Sequence, residues 1–244
     1  MSMGCAPDDR AVLVAALRDR FLAAQLAADR RAALHVVLKE CLEAGLTIPE
    51  IHLGVIQAAQ YEIGRRWLAA DVSIGEEHVA TAIAQLAIVL LDEQLPRARR
   101  RGTSVVLACP AGERHELGGR ILTDLLEVAG YDVCYAGADV PTESLIHLVT
   151  LRRPRVVALS VSLPSALTAA HDATVRLRAD FGAELVIVVG GQAVRGLGAG
   201  WPDDSARVIT SDGEAAVAAL DAIVDRGAGV TVPGEYPLHE GRLG

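Results

Sequence analysis

The period of the apolar residues changes once along this chain, between residues 95 and 103, and nothing else in it constrains the fold as strongly. Before that point apolar residues recur every three to four positions; after it they come in short runs separated by helical stretches. In the first part, Asp8 or Asp9 starts a helix that runs toward Ala28. Asp29 caps a second, which stops near Gly45, a residue suited to the left-handed position after a helix. Thr47 and Pro49 begin a third, whose row Ile51, Val55, Ala59, Ile63 and Trp67 steps by four and so shares one face. Ser73 and Glu76 form a capping box for a fourth, with the row Ile74, His78, Ala82, Leu86 and Leu90. Four such helices joined by short turns predict an antiparallel bundle over residues 8–95. Pro96 ends it, and Arg97, Arg99, Arg100 and Arg101 make residues 96–102 a basic, solvated connector.

The second part predicts strands at Thr103–Cys109, Tyr131–Tyr135, Val156–Ser160, Leu185–Val189 and Arg207–Ile209. Helices are expected near Glu116–Ala129, Thr142–Leu151, Ser165–Phe181 and Gly213–Arg226. This alternation implies a five-stranded parallel sheet with helices on both faces over residues 103–230, followed by a loosely packed tail, 231–244. Ligands of such sheets bind beyond the carboxyl ends of the strands. His115, Ser160, Gly190 and Gly191 all follow strands at that edge.

Composition narrows the function classes. Aromatic residues make up only 3%, so the core must be built from Ala, Val, Leu and Ile, and a placed Trp stands out. The net charge of −8 argues against the chain itself holding a phosphate backbone. Cys5, Cys41, Cys109 and Cys134 show no C-x-x-C pairing, which fits reduced thiols. No basic-then-apolar leader and no run of about 18 apolar residues is apparent, so the expectation is a cytoplasmic protein without a membrane span.

The candidate ligand loop is Glu113-Arg114-His115-Glu116-Leu117-Gly118, an E-x-H-x-x-G pattern just past the first predicted strand. A carboxylate two residues before a histidine can hold its imidazole, and a nearby glycine admits close approach. Downstream, 41 residues separate Gly118 from Ser160-Val161-Ser162, and 27 more separate Ser162 from Gly190-Gly191. The whole resembles the Rossmann-like (flavodoxin-like) cobalamin-binding domain, whose pattern is D-x-H-x-x-G, about 41 residues, S-x-L, about 26 to 28 residues, G-G. The resemblance implies that His115 is the lower axial ligand of cobalt, in place of the cofactor's own base. Glu113 would hold His115. Ser160 would complete a hydrogen-bonded relay or touch the cofactor's nucleotide tail, and Gly118, Gly190 and Gly191 would leave room for that tail. Two departures stand out: Glu113 replaces the usual Asp, and Ser162 replaces Leu.

In the helical part, Trp67 is followed by nine residues and then Glu77-His78. This W-x9-E-H spacing resembles the cap of adenosylcobalamin photoreceptors. The resemblance implies that Trp67 covers the adenosyl group, that Glu77 bonds it, and that His78 stands near the upper face of cobalt, a candidate ligand after photolysis. Taken singly, Trp67 and His78 also read as core residues, and Glu77 as a helix N-terminal charge. In those photoreceptors a histidine often follows the Trp and captures cobalt; here that position is Leu68. The implied function is a cobalamin light sensor without its own DNA-binding domain, signalling to an unidentified protein partner or through a change of homo-oligomer, with no direct nucleic-acid contact. Some relatives of this type, the photocobilins, use a bilin as second chromophore, though no residue here marks a bilin pocket. The alternatives are the corrinoid methyl-carrier subunit of a methyltransferase system and a light-insensitive cobalamin-dependent antirepressor. No nucleophile–base pair or phosphate loop points to independent catalysis, so the chain is not read as an enzyme.

Overall fold

A computed structural model describes residues 7–95, 99–197, 200–211 and 213–227. Pro96 and much of the predicted connector, and the predicted tail 231–244, lie outside the described residues. The helical part comprises α1 (Pro7–Leu26), α2 (Arg30–His35, continuing through Val36–Glu40 and Cys41–Glu43), α3 (Ile48–Glu50, Ile51–Gln57 and Ala58–Leu68) and α4 (Ile74–Asp92). The caps explain the boundaries. The Asp29 carboxylate accepts from the Ala32 amide at 2.9 Å, and reciprocal capping boxes link Thr47 with Glu50 and Ser73 with Glu76. Gly45, with φ +72°, ends α2 in the left-handed region.

The row Ile51, Val55, Ala59 and Ile63 is buried as its period requires, and Trp67 at its end is 44% exposed. The row expected for α4 is corrected. Ile74, His78 and Ala82 are exposed, and the buried face carries Ala80, Ile83, Ala84, Ala87, Ile88 and Leu91. Period four cannot choose a face on a helix that is apolar all round. For the same reason α4 is long and apolar enough to cross a membrane by length and composition, a helix the sequence reading overlooked. Here one side of it packs into the bundle core. Two segments, Val36–Glu40 and Ile51–Gln57, are π-helical, a widening that no apolar period announces.

From Ser104 the chain alternates β1 (Ser104–Pro110), α5 (Leu117–Val128), β2 (Asp132–Val140), α6 (Thr142–Arg152), β3 (Val156–Ser160), α7 (Leu167–Phe181), β4 (Val186–Gly190), the short α8 (Gln192–Arg195), β5 (Arg207–Ile209) and α9 (Gly213–Gly227). All strand pairs are parallel, in the order β2-β1-β3-β4-β5. The β2 strand runs five residues past its expected end at Tyr135. Gly137, at φ +95°, takes up a register shift there, so a glycine that reads as a terminator instead carries the strand through a bulge. Side-chain alternation divides the core. Val105, Leu107, Val156, Ala158 and Val188 face α5 and α9 and join the helical bundle in one apolar cluster. Val106, Ala108, Val157, Leu159, Ile187 and Val189 face α6 and α7 in a second cluster. The strand order reverses between β1 and β3, which opens a crevice beyond their carboxyl ends. The bundle lies over that crevice as a cap.

Candidate functional site

The loop after β1 is built to present one imidazole. Asp139, at the end of β2, accepts from the Gly112 amide at 2.7 Å, and its own amide donates to the Glu113 carbonyl at 2.8 Å. Glu113 is fully buried, and its carboxylate is saturated. Oε1 accepts from the His115 amide at 2.8 Å and from His115 Nδ1 at 2.9 Å. Oε2 accepts from the Ser162 and Leu163 amides at 2.7 and 2.8 Å. Burial pushes the Glu113 carboxyl up, but the bonds from the His115 ring and the Leu163, His115 and Ser162 amides outweigh it and hold the carboxyl below its ordinary range. The Glu113 bond in turn raises the His115 imidazole above its ordinary value, against burial. With Nδ1–H given to the carboxylate, the lone pair of His115 is on Nε2. The His115 side chain is 61% exposed and lines the cavity between cap and sheet.

These contacts account for both departures from the family pattern. The longer arm of Glu113 ties the β1 loop to the β3 loop, and residue 162 contributes its backbone amide, which any side chain supplies. Ser160, at the end of β3, is buried and lines the cavity but makes no side-chain hydrogen bond to Glu113 or His115 among the described residues. Among the described residues, Ser160 thus forms no relay with Glu113 and His115, and it stands on the cavity wall. The three glycines line the cavity but are under different steric constraints. A Cβ at Gly118 would meet only Ser160 Oγ at 4.0 Å and would project beside the cavity. A Cβ at Gly191 would fall 2.2 Å from the Val161 carbonyl oxygen, at φ +116°, and one at Gly190 would lie 3.0 Å from the Ile209 carbonyl oxygen. The need for glycine at 190 and 191 thus comes from the protein's own backbone.

The cavity holds about 1090 Å³, at the upper end for a small-molecule site. It continues downward as an apolar groove between α5 and α9, walled by Ile121, Leu122, Leu125, Leu126, Ala216 and Leu220. Nine of the ten candidate residues line it: Trp67, Glu77, His78, His115, Gly118, Ser160, Ser162, Gly190 and Gly191. Glu113 stands behind His115. On the cap side, His78 Nδ1 lies 2.6 Å from the Ile74 carbonyl oxygen, so it carries the proton and leaves Nε2 as acceptor. His78 is exposed, which excludes the core-histidine reading. Glu77 Oε1 accepts from the Thr81 hydroxyl at 2.8 Å. Leu68, next to Trp67, is 79% exposed.

Sequence reasoning missed several residues at and near the site. Gln57, Gln60, Gln85 and Gln192 bring neutral amides to the cavity, and outside it His52 of α3 and Asp124 of α5 form a buried pair at the seam between cap and sheet domain. Glutamines in a helical run look like any solvated face, so no signal marked them. Among the described residues no group of three His, Cys, Asp or Glu side chains could hold a bare metal ion. A metal at His115 would have to bring its other ligands with it, as a macrocycle does, and the volume of the cavity suits one.

Comparison with known proteins agrees with this geometry. A model of the B12 binding domain matches residues 103–221, and a second model, also described as a B12 binding domain, matches residues 17–91. The chain is 31% identical over 134 residues to the HTH-type transcriptional repressor CarH of Myxococcus xanthus, covering 55% of this chain and 44% of that protein. It is 23% identical over 134 residues to the trimethylamine corrinoid protein of Methanosarcina barkeri, covering 54% and 62%. It therefore spans about half the length of the curated relatives it matches. The structure of the Methanosarcina barkeri monomethylamine corrinoid protein superposes with a TM-score of 0.72 at 18% identity, covering 85% of this chain and 98% of that one, which establishes the shared fold.

Proposed function

The chain belongs to the B12 binding domain family, and from that premise we propose that it is a light sensor working through adenosylcobalamin. The observation that carries this reading is the roof. Trp67, Glu77 and His78 of the cap line the same cavity as His115 of the sheet domain. A bulky aromatic with a carboxylate and an imidazole suits a large polar upper group such as a nucleoside, which needs stacking and hydrogen bonds together. A methyl group needs neither.

His115 Nε2 is the donor that would hold cobalt from below, with Glu113 fixing its tautomer and orientation. The apolar groove between α5 and α9 would receive the tail displaced by that ligation. Trp67 would cover the upper group, and Glu77, already joined to Thr81, would accept from a ribose or adenine. When bound, adenosylcobalamin supplies a cobalt–carbon bond that light can break. Trp67 and Glu77 would be the cap residues that hold the upper group, and so the contacts through which its state would reach the position of the cap. Leu68 carries no donor, whereas His78 Nε2 is a free acceptor on the cap wall of the cavity and would be available to a metal there. The output would be a protein partner or a change of homo-oligomer, in the cytoplasm. A bilin as second chromophore belongs to the same reading.

The runner-up is a methyl carrier, favoured by the fold shared with the monomethylamine corrinoid protein. One experiment separates the two: absorption spectra and elution volume with adenosylcobalamin, with and without biliverdin, before and after green light. A light-induced change in both supports the sensor. An unchanged spectrum, together with methyl transfer from bound methylcobalamin to a thiol, would support the carrier.

A further inference from the structure

Of the polar contacts that cross the seam between cap and sheet domain, which include Arg195 Nη2 to the Tyr61 hydroxyl at 3.4 Å, two end on α5. Gln85 Nε2 of α4 donates to Glu116 Oε1 at 3.1 Å, and His52 Nε2 of α3 lies 2.6 Å from Asp124 Oδ2. Glu116 is the residue at which α5 begins, next to His115, and Asp124 stands roughly two turns further along. The intervening wall of α5 lines the groove through Gly118, Ile121 and Leu122. The helix that forms the cofactor groove is therefore pinned to the cap at two points.

The His52–Asp124 contact costs more than its position requires. His52 is fully buried, Asp124 nearly so, and His52 Nδ1 has no hydrogen-bond partner. Two more carboxylates surround the pair: Asp92 of α4 and Glu127 of α5, both raised above their ordinary range by burial and by neighbouring negative charge that includes Asp124. A well-packed apolar pair would serve stability as well or better. What a buried polar pair adds is register: only one placement of the cap on α5 brings the imidazole to the carboxylate. His52 also lies in the π-helical segment Ile51–Gln57, a local widening often found at functional positions.

We propose that the His52–Asp124 pair is a positioning clasp that sets the cap on α5, so that a ligand filling the groove and the roof formed by Trp67 are coupled. The proposal rests on the corrinoid-binding reading for its ligand arm. The test uses His52→Leu/Asp124→Leu, which removes both polar partners, and His52→Gln, which keeps a donor toward Asp124. Three measurements are made on each: hydrogen–deuterium exchange of the ligand-free protein, and affinity for adenosylcobalamin and for hydroxocobalamin. In the double variant, exchange in residues 74–92 rises, hydroxocobalamin affinity stays within about twofold, and adenosylcobalamin affinity falls about tenfold, within the range of coupling between sites. His52→Gln restores most of the preference. Parent-like exchange and parent-like preference in the double variant would overturn the clasp. If the double variant does not fold, Asp124→Asn, which keeps the volume and weakens the bond, is read by the same criteria. If no variant and no parent protein binds a corrinoid, the ligand reading fails alone, and cap exchange still decides the clasp.

Discussion

His115 and Glu113 are joined twice, through the backbone amide of His115 at 2.8 Å and its ring Nδ1 at 2.9 Å, both to the same carboxylate oxygen. One side chain thus fixes where the histidine sits and which nitrogen it offers. Because the other oxygen of Glu113 holds the β3 loop, the imidazole is registered against two strands at once.

Removing the imidazole should abolish the corrin signature. The reconstituted parent is expected to show a base-off, His-on spectrum, and His115→Ala to lose it. Glu113→Asp should weaken cobalamin binding by about ten- to a hundredfold, as is usual when a ligand's supporting residue is changed. The shorter arm cannot span from His115 to the Ser162 and Leu163 amides. Equal affinity in Glu113→Asp would show that this bridge does not matter.

The two kinds of glycine should separate stability from binding. Gly191→Ala forces a Cβ toward the Val161 carbonyl at a φ of +116°. It should cost about 1–3 kcal/mol in urea unfolding of the ligand-free protein. Gly118→Ala, in the first turn of α5, meets no backbone and should leave the ligand-free protein as stable or slightly more so while weakening cobalamin binding. A reversed pattern would move the steric constraint to the other glycine.

Trp67→Ala should weaken adenosylcobalamin more than methylcobalamin in titrations followed by absorbance. Aromatic contact of this kind contributes about 0.5–1.5 kcal/mol beyond buried area, so a gap of roughly threefold to tenfold is expected. Equal loss for both ligands would make Trp67 a structural residue only.

Leu68→His should create a donor next to Trp67 and change the spectrum of the illuminated protein while leaving the dark spectrum alone. His78→Ala should change the illuminated spectrum of the parent. If it does not, the cap supplies no upper ligand.

The Arg10–Glu50 pair gives a stability signature away from the site. The bond from Arg10, with help from Thr47, lowers the Glu50 carboxyl from 4.5 to about 2, against burial. A lowered folded-state value means its contribution is fully present above pH 4.5 and disappears as pH falls toward 2. Glu50→Gln should therefore destabilise the ligand-free protein at pH 7 by a small amount, since the pair is partly solvated. The difference from the parent should vanish near pH 2. A constant difference across that window would assign the effect to packing.

Much of the fold was legible because it rests on local rules. The capping boxes at Thr47 and Ser73, the left-handed stop at Gly45 and the short apolar runs of β1, β3, β4 and β5 are each specified by a few adjacent residues. The α4 row was misread because both faces of that helix are apolar, and only its neighbours decide which is buried. Likewise β2 was cut short at Tyr135 because Gly137 ends a strand locally but carries a bulge when β1 lies alongside.

The candidate site divides along the same line. His115, its partner Glu113 and the spacing to Ser160 and Gly190 were readable in the chain, because those residues lie at strand ends whose order sets their place in a parallel sheet. What Glu113 does with its second oxygen, why Gly191 must be glycine, and that His52 meets Asp124 become visible only in the folded chain. Each of these depends on atoms from segments far apart in the chain, within a few ångströms of one another, and no local period encodes such a distance.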